Sequence, residues 1–270
     1  MFKAVVTDLD GTLLNAEHKV SEFTRKTVKL LLKKGIKFYI ATGRNYLGAK
    51  EAMDDLGVQI PLITSHGSVA FDENGNEIFS NKLKREYLDK VLNIDYKSFG
   101  KDIIITGYAG PNWFVTEDLR EYFYNKKPDR TRYPQQITPE EFKKQDFTKI
   151  FFLGEDHDEL LELENEIKRV VGEENISLLF ANEGSLEVFP ADCNKAKAAE
   201  VVLERDGLTL KDAVSFGDGL NDYDLITETG LGFAMGNSIY LLLEKLTDTE
   251  VIDSNANDGM AKKVRELFDL

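Results

Sequence analysis

Asp8 and Asp10 stand two residues apart in VVTDLDGTLL (residues 5–14), where an apolar run meets a turn. Two carboxylates this close repel each other, so the pair calls for a neutralising cation. Further along, SFGDGLND supplies Asp218 and Asp222, and ATGR supplies Thr42, Gly43 and Arg44. Three or four carboxylates with no His or Cys among them suit a hard cation. Mg2+ fits best, because it takes few protein carboxylates and keeps positions open for water and phosphate oxygens. A carboxylate beside such an ion stays ionised and can attack phosphorus, giving an aspartyl-phosphate. A second carboxyl two residues on can protonate the leaving alkoxide, then deprotonate the water that cleaves the intermediate. The phosphoryl oxygens need donors: the Thr42 hydroxyl, and the ammonium of Lys195 or Lys197 where a helix begins. Gly11 and Gly219 permit sharp turns and close backbone approach. Taken singly these residues are ordinary, since Asp-Gly is a common turn pair and Thr a common helix cap. Their convergence is what needs a fold.

The elements that could bring them together alternate. Residues 2–7 read as a buried strand. SEFTRKTVKLLLKKG reads as a helix, with Ser21 as its cap and Gly35 past its end. IKFYIATGR, NYLGAKEAMDDLG and PLITSHG continue as strand, helix and strand. Short loops between them predict right-handed crossovers and a parallel sheet. From residue 69 the pattern changes to a hairpin around Asn74-Gly75, then to mixed helices and strands, with helices at KREYLDKVLN, EDLREYFYN and DELLELENEIKRVV. The tight NEG turn between SLLFA and LEVFP points to antiparallel pairing. After Asn194 the strand–helix rhythm returns. The expectation is an α/β protein: a doubly wound, Rossmann-like parallel sheet core from residues 1–82 and 188–270, with an α+β cap domain inserted at 83–187. In such sheets ligands bind at the carboxyl ends of the strands, where Asp8, Thr42 and Asp218 all fall.

The 270 residues suit about two domains. A net charge of −14 without a strong basic cluster argues against a nucleic-acid partner. The most basic stretch, KLLLKKGIK, reads as an amphipathic helix with a solvated face. Cys193 is the only cysteine, so no intrachain disulfide forms. The first residues lack the apolar region of a signal peptide, and no run approaches ~18 apolar residues. These features predict a cytoplasmic protein with no membrane association. GxxxxGK[ST], HExxH and GxSxG are all absent.

In chain order, DLDGTLL, ATGR, NKAKA and GDGLND resemble the four motifs of the haloacid dehalogenase (HAD) superfamily of phosphatases. The insert and the DGMA near the C-terminus resemble the Cof-type subfamily with a large α/β cap. The resemblance covers essentially the whole chain, though residues 83–187 match in length and pattern only. It implies that Asp8 is the nucleophile and a Mg2+ ligand. Asp10 would be the general acid/base, offering its main-chain carbonyl to the metal, and Asp218 the third protein ligand. Thr42 and Lys195 would hold the phosphoryl group, helped by Gly11, Gly43 and Asn221, with Asp222 supporting the metal shell and Arg44 reaching substrate or cap. Two positions depart from the pattern. His66-Gly67 stands where Asn-Gly is common, and Ala196 follows Lys195 where Gly is usual. The implied activity is hydrolysis of a phosphomonoester through an aspartyl-phosphate, on a small phosphorylated metabolite such as a sugar phosphate or a phosphorylated cofactor. The protein would be a monomer or small homo-oligomer. The alternatives are a phosphomutase or phosphotransferase using the same intermediate, and a non-enzymatic sensing module phosphorylated at Asp8.

Overall fold

The computed structural model describes residues 2–110, 112–119 and 133–270. The chain forms two compact units, Met1–Phe79 with Asn194–Leu270, and Ser80–Cys193. The crossings fall at 79/80 and 193/194 rather than at 82/83 and 187/188, because the strand ending the insert runs on to Pro190.

The first unit opens with β1 (Ala4–Thr7), β2 (Lys37–Ala41), β3 (Leu62–Thr64), β4 (Val69–Phe71) and β5 (Glu77–Ser80). The insert carries β6 (Ile104–Ala109), β7 (Asn112–Val115), β8 (Gln135–Gln136), β9 (Lys149–Leu153), β10 (Ile176–Asn182) and β11 (Ser185–Pro190). The first unit then resumes with β12 (Ala213–Gly217), β13 (Leu231–Ala234) and β14 (Glu250–Val251). Its sheet runs β14-β13-β12-β1-β2-β3-β4-β5, parallel from β14 to β3, with β4 antiparallel to β3. This is the expected α/β fold with a doubly wound parallel core and an inserted α+β domain.

Alternation along the strands explains the double winding. Val5, Phe38 and Ile40 face one core, packed by Val28 and Leu31, Met53 and Leu56, and Met260 and Val264 of three helices, Glu22–Lys33, Tyr46–Leu56 and Gly259–Phe268. Ala4, Val6, Tyr39 and Ala41 face the other, packed by the alanine-rich helix Lys195–Glu204. Both faces are buried, so the strands are continuously apolar. Ser21 caps the first helix, accepting the Thr24 N–H at 3.0 Å, and Gly57 ends the second in the left-handed region.

The insert's sheet runs β10-β11-β9-β6-β7-β8, antiparallel except for the β7/β8 pair. The helices Arg85–Leu92 and His157–Val171 bury Leu88, Leu163 and Ile167 with the sheet's Ile105, Phe152 and Val188 in one core. Most of EDLREYFYN, the stretch expected to be a helix, lies outside the described residues, and its first three residues, 117–119, are not helical. Two short helices, Tyr223–Glu228 and Tyr240–Lys245, lacked a sequence signal because each spans under two turns.

A turn after β3 ties the first unit together. Ser65, His66 and Gly67 all have positive φ, and a Cβ on Gly67 would lie 2.3 Å from the Asn194 carbonyl oxygen. Gly67→Ala therefore combines left-handed strain with a backbone clash. It should destabilise the protein by about 2 kcal/mol or more, read as a lower midpoint in urea unfolding.

Candidate active site

β1 and β12 are parallel neighbours, with Thr7 level with Phe216, and β2 lies on the other side of β1. From β1 the chain winds outward to β2 and β3, and from β12 outward to β13 and β14. The crevice between β1 and β12 is thus a topological switch point, where open α/β sheets bind ligands. The carboxyl ends of β1, β2 and β12 deliver Asp8, Thr42 and Asp218 to this edge.

Lys195 stands at the first turn of its helix, after the Asn194 cap. Its ammonium is 2.5 Å from Asp8 Oδ1 and 2.6 Å from Asp222 Oδ1, with the side chain fully buried. The exposed Lys197 contributes its backbone N–H to the cap instead. Of the two lysines that the residue pattern left open, Lys195 is the one whose ammonium lies beside Asp8.

Among the described residues, Asp8, Asp218 and Asp222 bring carboxylate oxygens within 4.8 Å of one another. Three carboxylates against one ammonium leave surplus negative charge, and an all-oxygen donor set fits a hard divalent cation. The three differ in availability. Asp222 takes Lys195 on Oδ1, and the N–H groups of Asp218 and Gly219 on Oδ2 at 3.0 and 2.9 Å. Its oxygens are engaged in shaping the turn. That leaves Asp8 and Asp218 better placed to hold an ion.

Asp10 lies outside the cluster. Arg44 grips it in a two-pronged ion pair, Nε to Oδ2 at 2.7 Å and Nη2 to Oδ1 at 2.5 Å. Arg44 was expected to reach substrate or cap; here it anchors Asp10. Thr42 is fully buried, and its hydroxyl accepts the Arg44 N–H at 3.1 Å, which shapes the TGR turn. Gly11, at φ +74°, passes so close to Asp218 that a Cβ would lie 2.3 Å from Oδ2. Asn221 lies 3.2 Å from His66 Nδ1 through its amide nitrogen.

Three supporting residues escaped the sequence reading. Thr12 donates its hydroxyl to Asp218 Oδ1 at 2.9 Å. Asn237 donates to the Gly11 carbonyl at 2.8 Å and accepts the Asn255 N–H at 2.9 Å. Asn255 donates to the Leu14 carbonyl at 2.9 Å, so the turn carrying Asp10 is braced from both ends. Asn237 follows the end of β13 on the same sheet edge, which is the signal that could have found it.

Burial pushes the Asp8 carboxyl well above its ordinary value of 3.8. Lys195 opposes the shift, while Asp222 and Asp218 add to it. Burial and then Asp222 push Asp218 up to about 6. Burial works against the Lys195 charge, but Asp222 and Asp8 outweigh it and hold the ammonium above its ordinary 10.5.

The haloacid dehalogenase-like hydrolase family matches residues 5–264. A protein of Buchnera aphidicola subsp. Baizongia pistaciae named "Putative phosphatase" is 35% identical over 276 residues, covering 99% of both chains. The "HMP-PP phosphatase" of Serratia proteamaculans is 29% identical over 258 residues, covering 93% of this chain and 90% of its own. A solved haloacid dehalogenase-like hydrolase from Bacteroides thetaiotaomicron shares the fold with a TM-score of 0.84 at 24% identity, covering 99% of this chain and 100% of that one. Among the described residues, no helix is long and apolar enough to cross a membrane.

The raised carboxyls carry a sign. A folded pKa above the unfolded one means the native state binds more protons, so stability falls as pH rises from the unfolded value towards the folded one. Without metal, the contribution of Asp218 to stability should decline as pH rises from 3.8 to about 6, the span of its shift. A divalent cation binding these carboxylates reverses the penalty. Added Mg2+ should therefore raise the melting temperature more at about pH 7.5 than at about pH 5, and Asp218→Asn should shrink that increment. A Mg2+ increment independent of pH would contradict this reading.

Proposed function

The chain belongs to the haloacid dehalogenase-like hydrolases, and on that footing we propose that it is a Mg2+-dependent phosphomonoester hydrolase working through an aspartyl-phosphate on Asp8. The observation that carries the reading is the Lys195 ammonium, buried 2.5 Å from Asp8 and facing a cluster of three carboxylates. A buried cation beside a nucleophilic carboxylate offsets the charge that a phosphate brings, and so lets two anions meet.

Asp8 and Asp218 would hold the metal with the main-chain carbonyl of Asp10, and Asp222 would fix the turn behind them. The ion supplies charge neutralisation for the phosphoryl oxygens. A carboxylate oxygen of Asp8 attacks phosphorus, and the bond to the substrate's leaving oxygen breaks. Asp10 gives that oxygen its proton. Water then attacks phosphorus and Asp10 takes the water's proton, so inorganic phosphate leaves and Asp8 is restored. Delivering the proton requires an oxygen of Asp10 to leave Arg44. Lys195, Thr42, Asn221 and backbone N–H groups of the Gly11 and Gly43 turns hold the phosphoryl oxygens.

The substrate is a small phosphorylated metabolite, a sugar phosphate or a phosphorylated cofactor, with no nucleic acid or membrane involved. Relatives named HMP-PP phosphatase support this size and class.

Purified protein should release inorganic phosphate from a panel of phosphorylated metabolites with Mg2+ and not with EDTA. Asp8→Asn should lower turnover by about a thousandfold or more, assayed at a temperature where circular dichroism shows the variant still folded. A required bisphosphate activator would instead indicate a mutase. One phosphate per chain and no more would indicate a sensing module.

A further inference from the structure

The strained turn after β3 touches three of the segments assigned above to the phosphoryl group: the Thr42-Gly43 turn, the residue before Lys195, and Asn221. The Ser65 N–H donates to the Arg44 carbonyl at 2.8 Å, and the His66 N–H to the Thr42 carbonyl at 3.1 Å. Gly67 packs against the Asn194 carbonyl, immediately before Lys195. The His66 ring lies against Gly43, where a Cβ would meet Cε1 at 2.4 Å. Across the crevice, His66 Nδ1 is 3.2 Å from the Asn221 amide nitrogen. His66 is only 6% exposed, yet it sits at φ +58°, next to Ser65 at φ +50°. Left-handed backbone costs roughly 1–2 kcal/mol at each non-glycine residue. Two in succession at a strand end persist only where the surroundings fix them, and such strain collects at working sites.

We propose that His66 is a positioning residue for phosphoryl binding. It orients the Asn221 amide and seats the Thr42-Gly43 turn, linking the segments after β2 and β12. With the amide donating, Nδ1 is the acceptor and the ring proton sits on Nε2. A primary amide carries two N–H donors. His66 takes one, which turns the other towards a phosphoryl oxygen. The bond thus removes the rotational freedom that Asn221 would otherwise lose on binding phosphate. This inference rests on the phosphatase reading for its ligand, but its test does not depend on turnover.

The test is a double-mutant cycle on His66→Gly and Asn221→Ala, in Mg2+. Glycine accepts the left-handed backbone without strain, which offsets part of the packing lost with the buried ring, so His66→Gly should remain folded, checked by its melting curve. Two readouts are taken: KM and kcat on the preferred phosphomonoester, and the dissociation constant of inorganic phosphate by calorimetry. His66→Gly should weaken phosphate and raise KM by about 5- to 10-fold, with a smaller change in kcat. Asn221→Ala should do the same, and the double variant should be no weaker than the worse single. His66→Asn, short enough for the turn and able to accept from an amide, should recover part of the loss. Unchanged phosphate affinity in His66→Gly would overturn the proposal. So would losses that multiply in the double variant, which would mean the two residues act separately. A wild type that binds phosphate but turns nothing over would count against the phosphatase reading, and the cycle on phosphate affinity would still decide the role of His66.

Discussion

An ammonium buried between two carboxylates tolerates no half-measures. Lys195, Asp8 and Asp222 are all withdrawn from water, and each is bearable there only because of the others. Removing one partner of a buried pair costs about 3–5 kcal/mol, since it strands a charge in a poorly polarisable interior. This constraint fixes where the end of β1, the turn after β12 and the start of one helix must lie. Asp218 sits in the same cluster, where burial and then the Asp222 charge raise its proton affinity. The cluster carries surplus negative charge, which a divalent cation would offset.

The rest of the first unit supplies backbone close enough to these charges. Small residues do most of this. Gly11 slips past the Asp218 carboxylate, and Gly67 against the residue before Lys195. On the sheet face under Lys195, alanines at 196, 198 and 199 meet Ala4, Ala41 and Ala70, so helix and sheet approach closely. Side-chain amides from later in the chain, Asn237 and Asn255, brace the Asp10 turn where no strand or helix ladder reaches it.

Much of this was legible beforehand, for identifiable reasons. Strands buried on both faces must be apolar throughout, so β1, β2 and β12 announced themselves. Strand ends in a parallel sheet share one edge, so Asp8, Thr42 and Asp218 could be placed together before any coordinates. Spacing alone did not choose Lys195 over Lys197, because both lie on the first turn of one helix. What separates them is burial and the bonds of the Lys195 ammonium to Asp8 and Asp222. The Arg44 grip on Asp10 and the His66 bridge to Asn221 join residues that are 34 and 155 positions apart, and no local pattern encodes such pairs. The limits of the insert were blurred because β11 runs straight through the expected boundary.

The discontinuity of the first unit has a consequence for how the chain comes into being. β1 lies at the centre of its sheet, yet its partner β12 is encoded beyond the whole insert, and the bond from Lys195 to Asp8 spans 187 positions. A ribosome delivers β1, β2 and β3 first, with one side of β1 still unpaired. The insert, contiguous in sequence, can close its own core before β12 exists outside the exit tunnel. Contacts this distant are slow to form, because a long loop must be ordered before any bond rewards it. The catalytic edge therefore cannot assemble until synthesis has passed the whole insert and β12. Until then the Asp8 carboxylate waits in water, without the lysine that will bury it.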